Sequence, residues 1–125
     1  MNVKLGQAAP DFSLYDSDKN LVTLSQMRGQ NILLLFFPAA FTGTCTAELC
    51  SIRDNISAYH RLNASVFGIS VDMVYTLAKY REDQQLNFSL LSDFNKEASA
   101  AYDSLYEIFS FGMKGVSKRS AFVRR

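Results

Sequence analysis

The side chains best suited to chemistry are Cys45 and Cys50, the only cysteines in 125 residues, and both fall within Phe36-Phe37-Pro38-Ala39-Ala40-Phe41-Thr42-Gly43-Thr44-Cys45-Thr46-Ala47-Glu48-Leu49-Cys50. A pair this close staples little chain, and two are too few for a secreted disulfide scaffold, so reactivity is the better use of them. The run Ile32 to Phe37 is continuously apolar, as expected for a strand covered on both faces, and leads through Pro38 into a helix starting at Thr42 or Thr44. Cys45 then sits in the first helical turn. There, unpaired backbone N–H groups and the positive end of the helix dipole lower a thiol pKa and populate the thiolate near neutral pH. The open end of a strand in an α/β sheet is also the expected ligand crevice. Thr42 can cap this helix or turn its hydroxyl toward the sulfur.

Other uses of these cysteines compete. Counting about 100° per residue from Cys45, Leu49 falls at about 40°, Ile52 at about −20°, Ile56 at about 20° and Tyr59 at about −40°. Cys45 therefore heads a core-facing stripe, where by spacing alone a lone cysteine is usually a small buried hydrophobe. Cys50 lies about 140° away by the same count. Cys45, Cys50 and the single histidine, His60, offer at most three metal ligands in no common zinc spacing, and no metal or other cofactor is expected. A thioredoxin-type redox motif needs two residues between its cysteines, and this chain has four.

The elements that must position these residues alternate. Phe12 to Tyr15 and Leu21 to Leu24 flank the turn-rich Asp16-Ser17-Asp18-Lys19-Asn20, which predicts an N-terminal hairpin. One helix is expected from Thr42 or Thr44 to about Arg61, then a strand over Ser65 to Val71. A second helix follows, capped by Asp72 and running to about Gln85 with Leu77, Ala78 and Tyr80 available for packing. A short strand over Ser89 to Ser92, a short helix over Lys96 to Asp103 and a last strand over Ser120 to Val123 complete an α/β layer fold.

Composition narrows the function classes. The length fits one domain. Thirteen basic and twelve acidic residues give a formal charge of +1, with 48% hydrophobic and 20% charged residues, so neither disorder nor nucleic-acid binding by bulk charge is supported. The longest stretch without a polar side chain, Ile32 to Phe41, is about half of what a membrane helix needs. Met1 to Gln7 has no apolar or Arg-rich targeting pattern, and a cytoplasmic protein is expected. The charge is uneven: Lys114, Lys118, Arg119, Arg124 and Arg125 form a basic end without an acid, which by itself reads as a solvated tail.

At the cysteines the sequence becomes recognisable. Pro38 to Cys50 resembles the active-site signature of the peroxiredoxins, thiol peroxidases of the AhpC/TSA superfamily on a thioredoxin-like fold. The family pattern is a proline, three residues, a threonine or serine, two residues and the peroxidatic cysteine, which Pro38, Thr42 and Cys45 fill. The phrase from Phe41 to Cys50 is most similar to the bacterioferritin-comigratory (Q-type) and E-type branches. The resemblance continues through Gly68-Ile69-Ser70-Val71-Asp72, Leu90-Leu91-Ser92-Asp93 and Lys118-Arg119-Ser120-Ala121-Phe122-Val123.

The resemblance implies a single thioredoxin-like α/β domain with the N-terminal hairpin and a central mixed sheet. The sequence stops at Arg125, before the strand and helix that usually follow in the family; if that is the natural end, apolar sheet surface would be left for self-association or a partner, and the alternative is that this is a fragment of a longer product. It implies Cys45 as nucleophile, Thr42 as hydroxyl partner to the peroxide, Arg119 as the cation for thiolate and leaving oxygen, and Pro38 as the wall of the pocket. Glu48 would hold an arginine by an ion pair, or serve only as a favourable partner of the helix dipole. Hydrogen peroxide and organic hydroperoxides become the expected substrates. The sulfenic acid formed at Cys45 would be resolved by Cys50 and the disulfide reduced by thioredoxin or a similar thiol reductant. Five helical residues rise about 7.5 Å, more than the roughly 7 Å beyond which a disulfide cannot close without backbone movement, so the helix must unwind first. Two other readings stand beside this one: a one-cysteine cycle with an external thiol, and a redox-responsive binding protein without turnover. Phe41 and the stretch from Tyr106 to Met113 offer an edge for a homodimer.

Overall fold

The computed structural model describes residues 10–27, 31–62 and 64–124, with the backbone alone described at Thr44, Cys45, Ser110, Val123 and Arg124. The N-terminal segment searched for a targeting pattern lies outside these residues. The hairpin forms as expected from β1 (Ser13–Asp16) and β2 (Leu21–Thr23), paired antiparallel with Leu14 opposite Val22. Asp16 closes its turn, one carboxylate oxygen accepting from the backbone N–H of Asp18 and of Asn20, each at 2.9 Å. With β3 (Asn31–Phe36), β4 (Ala64–Ser70), β5 (Ser89–Ser92) and β6 (Ser120–Arg124) these strands make a six-stranded mixed sheet in the order β2-β1-β5-β4-β3-β6.

The three central strands are parallel and follow one another across the sheet. Right-handed crossovers then put both connections on one face. One is α1 (Gly43–Asp54) with α2 (Ile56–Arg61), the other α3 (Val74–Asp83). Side chains of β3 alternate accordingly. Leu33, Leu35 and Phe37 meet Leu49, Ile52, Ile56, Tyr59, Leu77 and Tyr80 from these helices, whereas Ile32, Leu34 and Phe36 face Phe12, Leu24, Ala98 and Tyr102 on the other side. The stripe expected from Leu49 to Tyr59 is thus the core-facing stripe.

Three expectations about the helices need correction. The helix predicted to run unbroken to Arg61 breaks at Asn55. There the backbone N–H turns to Ile52 O at 3.1 Å, and the side-chain amide takes Ser51 O at 2.8 Å, the carbonyl that a continuing α-helix would give to the backbone. Asp72 does not cap the next helix. Met73 occupies the cap position, and the Asp72 carboxylate is committed elsewhere. The helix expected over Lys96 to Asp103 is the shorter α4 (Glu97–Ala101), because Lys96 has φ 66°, which no right-handed helix admits. Its first N–H groups are met by the buried Asp93 carboxylate, which accepts from Ala98 N at 3.0 Å and Ser99 N at 2.6 Å.

Gly68 in β4 is a position where the core leaves no room for a side chain. A Cβ there would lie 2.7 Å from Leu90 Cδ2 and 3.3 Å from Phe37 Cε1, in the residue that precedes Pro38. Overpacking of this kind costs about 1–3 kcal/mol, so Gly68→Ala should lower the urea midpoint by a corresponding amount without changing the slope of the transition. An unchanged midpoint would show that Phe37 and Leu90 can retreat.

Candidate active site

The chain stays on the sheet one residue beyond β3, since Phe37 N–H donates to Ile69 O at 2.9 Å. The buried Pro38 follows, lacking an N–H to continue the ladder, and the backbone lifts away toward α1. Three contacts shape this short loop. Ala40 N–H donates to Asp72 Oδ2 at 2.8 Å, Thr42 Oγ1 donates to Ala39 O at 3.0 Å, and the Phe41 ring lies on Tyr80 with centroids 4.9 Å apart. Phe41 has φ 66°, a left-handed conformation that costs a residue with a Cβ roughly 1–2 kcal/mol, so the surrounding contacts have to over-determine it.

Thr42 occupies the cap position of α1 but makes no side-chain cap hydrogen bond, its hydroxyl being turned to Ala39 O. Of the two roles open to it, capping is therefore not the one taken. The hydroxyl spends its proton inside the loop, which leaves the oxygen lone pairs as acceptors. Cys45 is the third residue of α1, and its side chain lies outside the described residues.

Glu48 follows one helical turn after Cys45, on the same side of α1. It meets Arg119, with Nε 3.2 Å from Oε2 and about a third of each side chain exposed, at 38% and 34%. Sheet register explains the meeting. β6 runs antiparallel to β3 with Ser120 opposite Phe36, so Arg119 falls beside the end of β3 from which the loop departs. A pair this exposed contributes about 0–1 kcal/mol, too little to be a reason for the fold, and its effect is to fix where a guanidinium sits.

Asp72 and Tyr80 were placed in the sequence only as a helix cap and a packing residue, yet both organise this site. Asp72 Oδ2 also accepts from Ser70 Oγ at 2.7 Å, and Ser92 Oγ donates to Asp72 O at 2.6 Å, so three strand ends converge on the loop. Tyr80, fully buried, shares a 2.9 Å hydrogen bond with Thr46 Oγ1, the residue after Cys45. The signal for Asp72 was its place two residues after Ser70 at the end of a buried strand. For Tyr80 it was a hydroxyl on an otherwise apolar face.

Cys50 points away from this cluster. It is half-buried, a free thiol 3.6 Å from Gln84 Oε1, while Arg53 Nη1 donates to Gln84 O at 2.6 Å and Asn87 Nδ2 to Arg53 O at 3.1 Å. The hydrogen bond to Asp54 raises the Arg53 pKa above its usual value, leaving a permanent cation near Cys50. The later half of α1 is thus tied to the end of α3, and both cysteines lie in one continuous helix.

The chain is 40% identical over 120 residues to a protein provisionally named a peroxiredoxin in Mycobacterium tuberculosis, covering 94% of this chain and 76% of the relative. It is 42% identical over 91 residues to peroxiredoxin Bcp of Escherichia coli K12, covering 73% and 58% respectively. The fold is similar to the crystal structure of peroxidoxin BcpB from Mycobacterium tuberculosis, with a TM-score of 0.85 and 33% identity over 94% of this chain and 76% of that one. It is also similar to peroxiredoxin Q of Xanthomonas campestris, at TM-score 0.82 and 25% identity over 90% and 72%. With the AhpC/TSA family model matched across residues 5–124, at one end of which stand β6 and the Arg119 it delivers to Glu48, the chain belongs to the AhpC/TSA family.

Proposed function

We propose that the protein is a thiol-specific peroxidase that reduces hydrogen peroxide and organic hydroperoxides through Cys45. The observation that carries this reading is the Arg119–Glu48 pair, which holds a cation one helical turn from Cys45 at the N-terminal end of α1. A thiolate there is favoured by the helix N-terminus and by the guanidinium together. Thr42 supplies an acceptor for the peroxide O–H, which aims the terminal oxygen at the sulfur. The S–O bond forms as the O–O bond breaks, the two electrons coming from sulfur, and the departing oxygen leaves as water or an alcohol after taking a proton. Arg119 and the backbone N–H of Cys45 stabilise the charge that develops on that oxygen. Buried Pro38 closes the wall behind it and keeps water from the sulfur.

The sulfenic acid at Cys45 is then attacked by the Cys50 thiol, forming the disulfide and releasing water, and a thioredoxin-type reductant in the cytosol restores both thiols. The helical rise of about 7.5 Å between them requires the first turns of α1 to unwind, releasing Thr46 from Tyr80 and Cys50 from Gln84. That hold on Cys50 favours a second reading, in which the helix stays intact and an external thiol resolves Cys45. Exposed Phe41, Ile108, Phe111 and Met113 are the surface on which a homodimer would close.

Peroxide consumption coupled to a thioredoxin system should show continuous turnover, abolished in Cys45→Ser; a single oxidation event without turnover would make the protein a sensor. Arg119→Ala should slow the reaction with peroxide on the order of 10²-fold, the usual cost of removing one donor to a developing oxyanion. After one equivalent of peroxide, the mass should fall by two hydrogens. A persistent gain of one oxygen would assign resolution to an external thiol. Hydrogen exchange over residues 42–52 should quicken in the oxidised protein, and equal protection in both states would contradict unwinding.

A further inference from the structure

Three serines are shut inside the protein without any part in the chemistry above: Ser99 and Ser117 at 0% exposure and Ser104 at 2%. Burying a hydroxyl is unfavourable unless it is paired, and these are paired with each other or with the segment that leads into β6. Ser99 Oγ and Ser117 Oγ are 2.6 Å apart, and Ser104 Oγ and Ser120 Oγ 2.9 Å apart. Lys118 N–H donates to Ser104 O at 2.6 Å, and Leu105 and Ser117 form an isolated antiparallel bridge. All of these bonds fall on residues 117, 118 and 120, on both sides of Arg119, which itself stands one residue before the first β6–β3 pairing, Ser120 with Phe36.

We infer that Ser117 and Ser104 are positioning residues for Arg119: two hydroxyl pairs, the buried Ser99–Ser117 and the part-buried Ser104–Ser120, fix the backbone from which the guanidinium reaches Glu48. The inference rests on the role proposed above for Arg119. Glu48 holds the head of a long side chain about a third exposed, and such a contact tolerates sliding unless the Cα end is also fixed. Apolar side chains could fill the same space, but they would not fix register, whereas a hydroxyl pair at hydrogen-bond distance sets both distance and direction. The anchor on the other side is itself secured, because the buried Asp93 carboxylate accepts the N–H groups of Ala98 and Ser99 and so fixes the start of α4. The clamp therefore runs from the end of β5, through α4, to the entrance of β6.

The test is a cycle of variants read by the rate at which Cys45 reacts with hydrogen peroxide, measured by competition with horseradish peroxidase. Ser99→Ala/Ser117→Ala removes both members of one pair, so no buried hydroxyl is orphaned and the fold is retained, as near-unchanged thermal unfolding will show. This variant should react on the order of tenfold more slowly, since small misplacements of a positioning group cost up to about 10²-fold. Ser104→Ala should slow the reaction in the same direction. In the Arg119→Ala background the serine substitutions should have no further effect, because a clamp that acts through Arg119 has nothing left to position. Equal slowing in both backgrounds, or no slowing where Arg119→Ala alone is slow, overturns the inference and leaves the role of Arg119 intact. An Arg119→Ala protein that keeps the full rate overturns the role of Arg119 and the inference with it.

Discussion

The antiparallel register of β6 against β3, with Ser120 opposite Phe36, is the constraint on which the site depends. Cys45 reaches the end of β3 by local chain geometry, since strand, loop and helix follow one another in sequence. Arg119 reaches it only because β6 pairs in that register. A slip of one residue would turn every β6 side chain to the opposite face and take the guanidinium away from Glu48. Phe122 resists such a slip. Its ring packs edge-on to Phe36 with centroids 5.8 Å apart and against Tyr102 at 5.1 Å, so it anchors the register against the core. The ion pair is weak and the aromatic packing strong; the strong interaction places the weak one.

A second tension lies along α1. The helix offers an N-terminus to an anion, for which it must be formed, and it separates the two cysteines, so that in the proposed cycle with Cys50 resolving Cys45 it must come apart. Hydrogen bonds hold its polar side, among them Thr46 to Tyr80, Cys50 to Gln84, and Arg53 to the Gln84 carbonyl. Each is a net contribution of about 0.5–1.5 kcal/mol, the scale on which a segment can open without unfolding the domain. Leu49 and Ile52, by contrast, are apolar and face the sheet, so the core side of the helix resists what the polar side permits.

Much of this was legible in the sequence, and the failures have a common cause. Continuous apolar runs marked β3 and β4, turn residues marked the hairpin, and the angular placement of Leu49, Ile52, Ile56 and Tyr59 identified the buried stripe correctly. The motif singled out Pro38, Thr42 and Cys45, and family resemblance lifted Arg119 out of what charge alone read as a solvated tail. What was missed depends on where a polar side chain spends its hydrogen bonds. Asn55 gives its amide to Ser51 O, Asp72 gives its carboxylate to Ala40 and Ser70, and Thr42 gives its hydroxyl to Ala39 O. Each residue type permits several partners, and only tertiary structure selects among them. The buried serines were invisible for the same reason, since nothing in their spacing announces that residues 99 and 104 will meet 117 and 120.

The break at Asn55 acquires a meaning in this light. Helical order is cooperative, so a disturbance at one end of a long helix tends to spread along it. Here the cooperative unit stops at Asp54, and α2 with Ile56 and Tyr59 is a separate unit lying against the sheet. The asparagine therefore acts as a firebreak: in the cycle proposed above, α1 can open and re-form while the hydrophobic layer beneath α2 stays sealed and gives the refolding segment a fixed edge to return to.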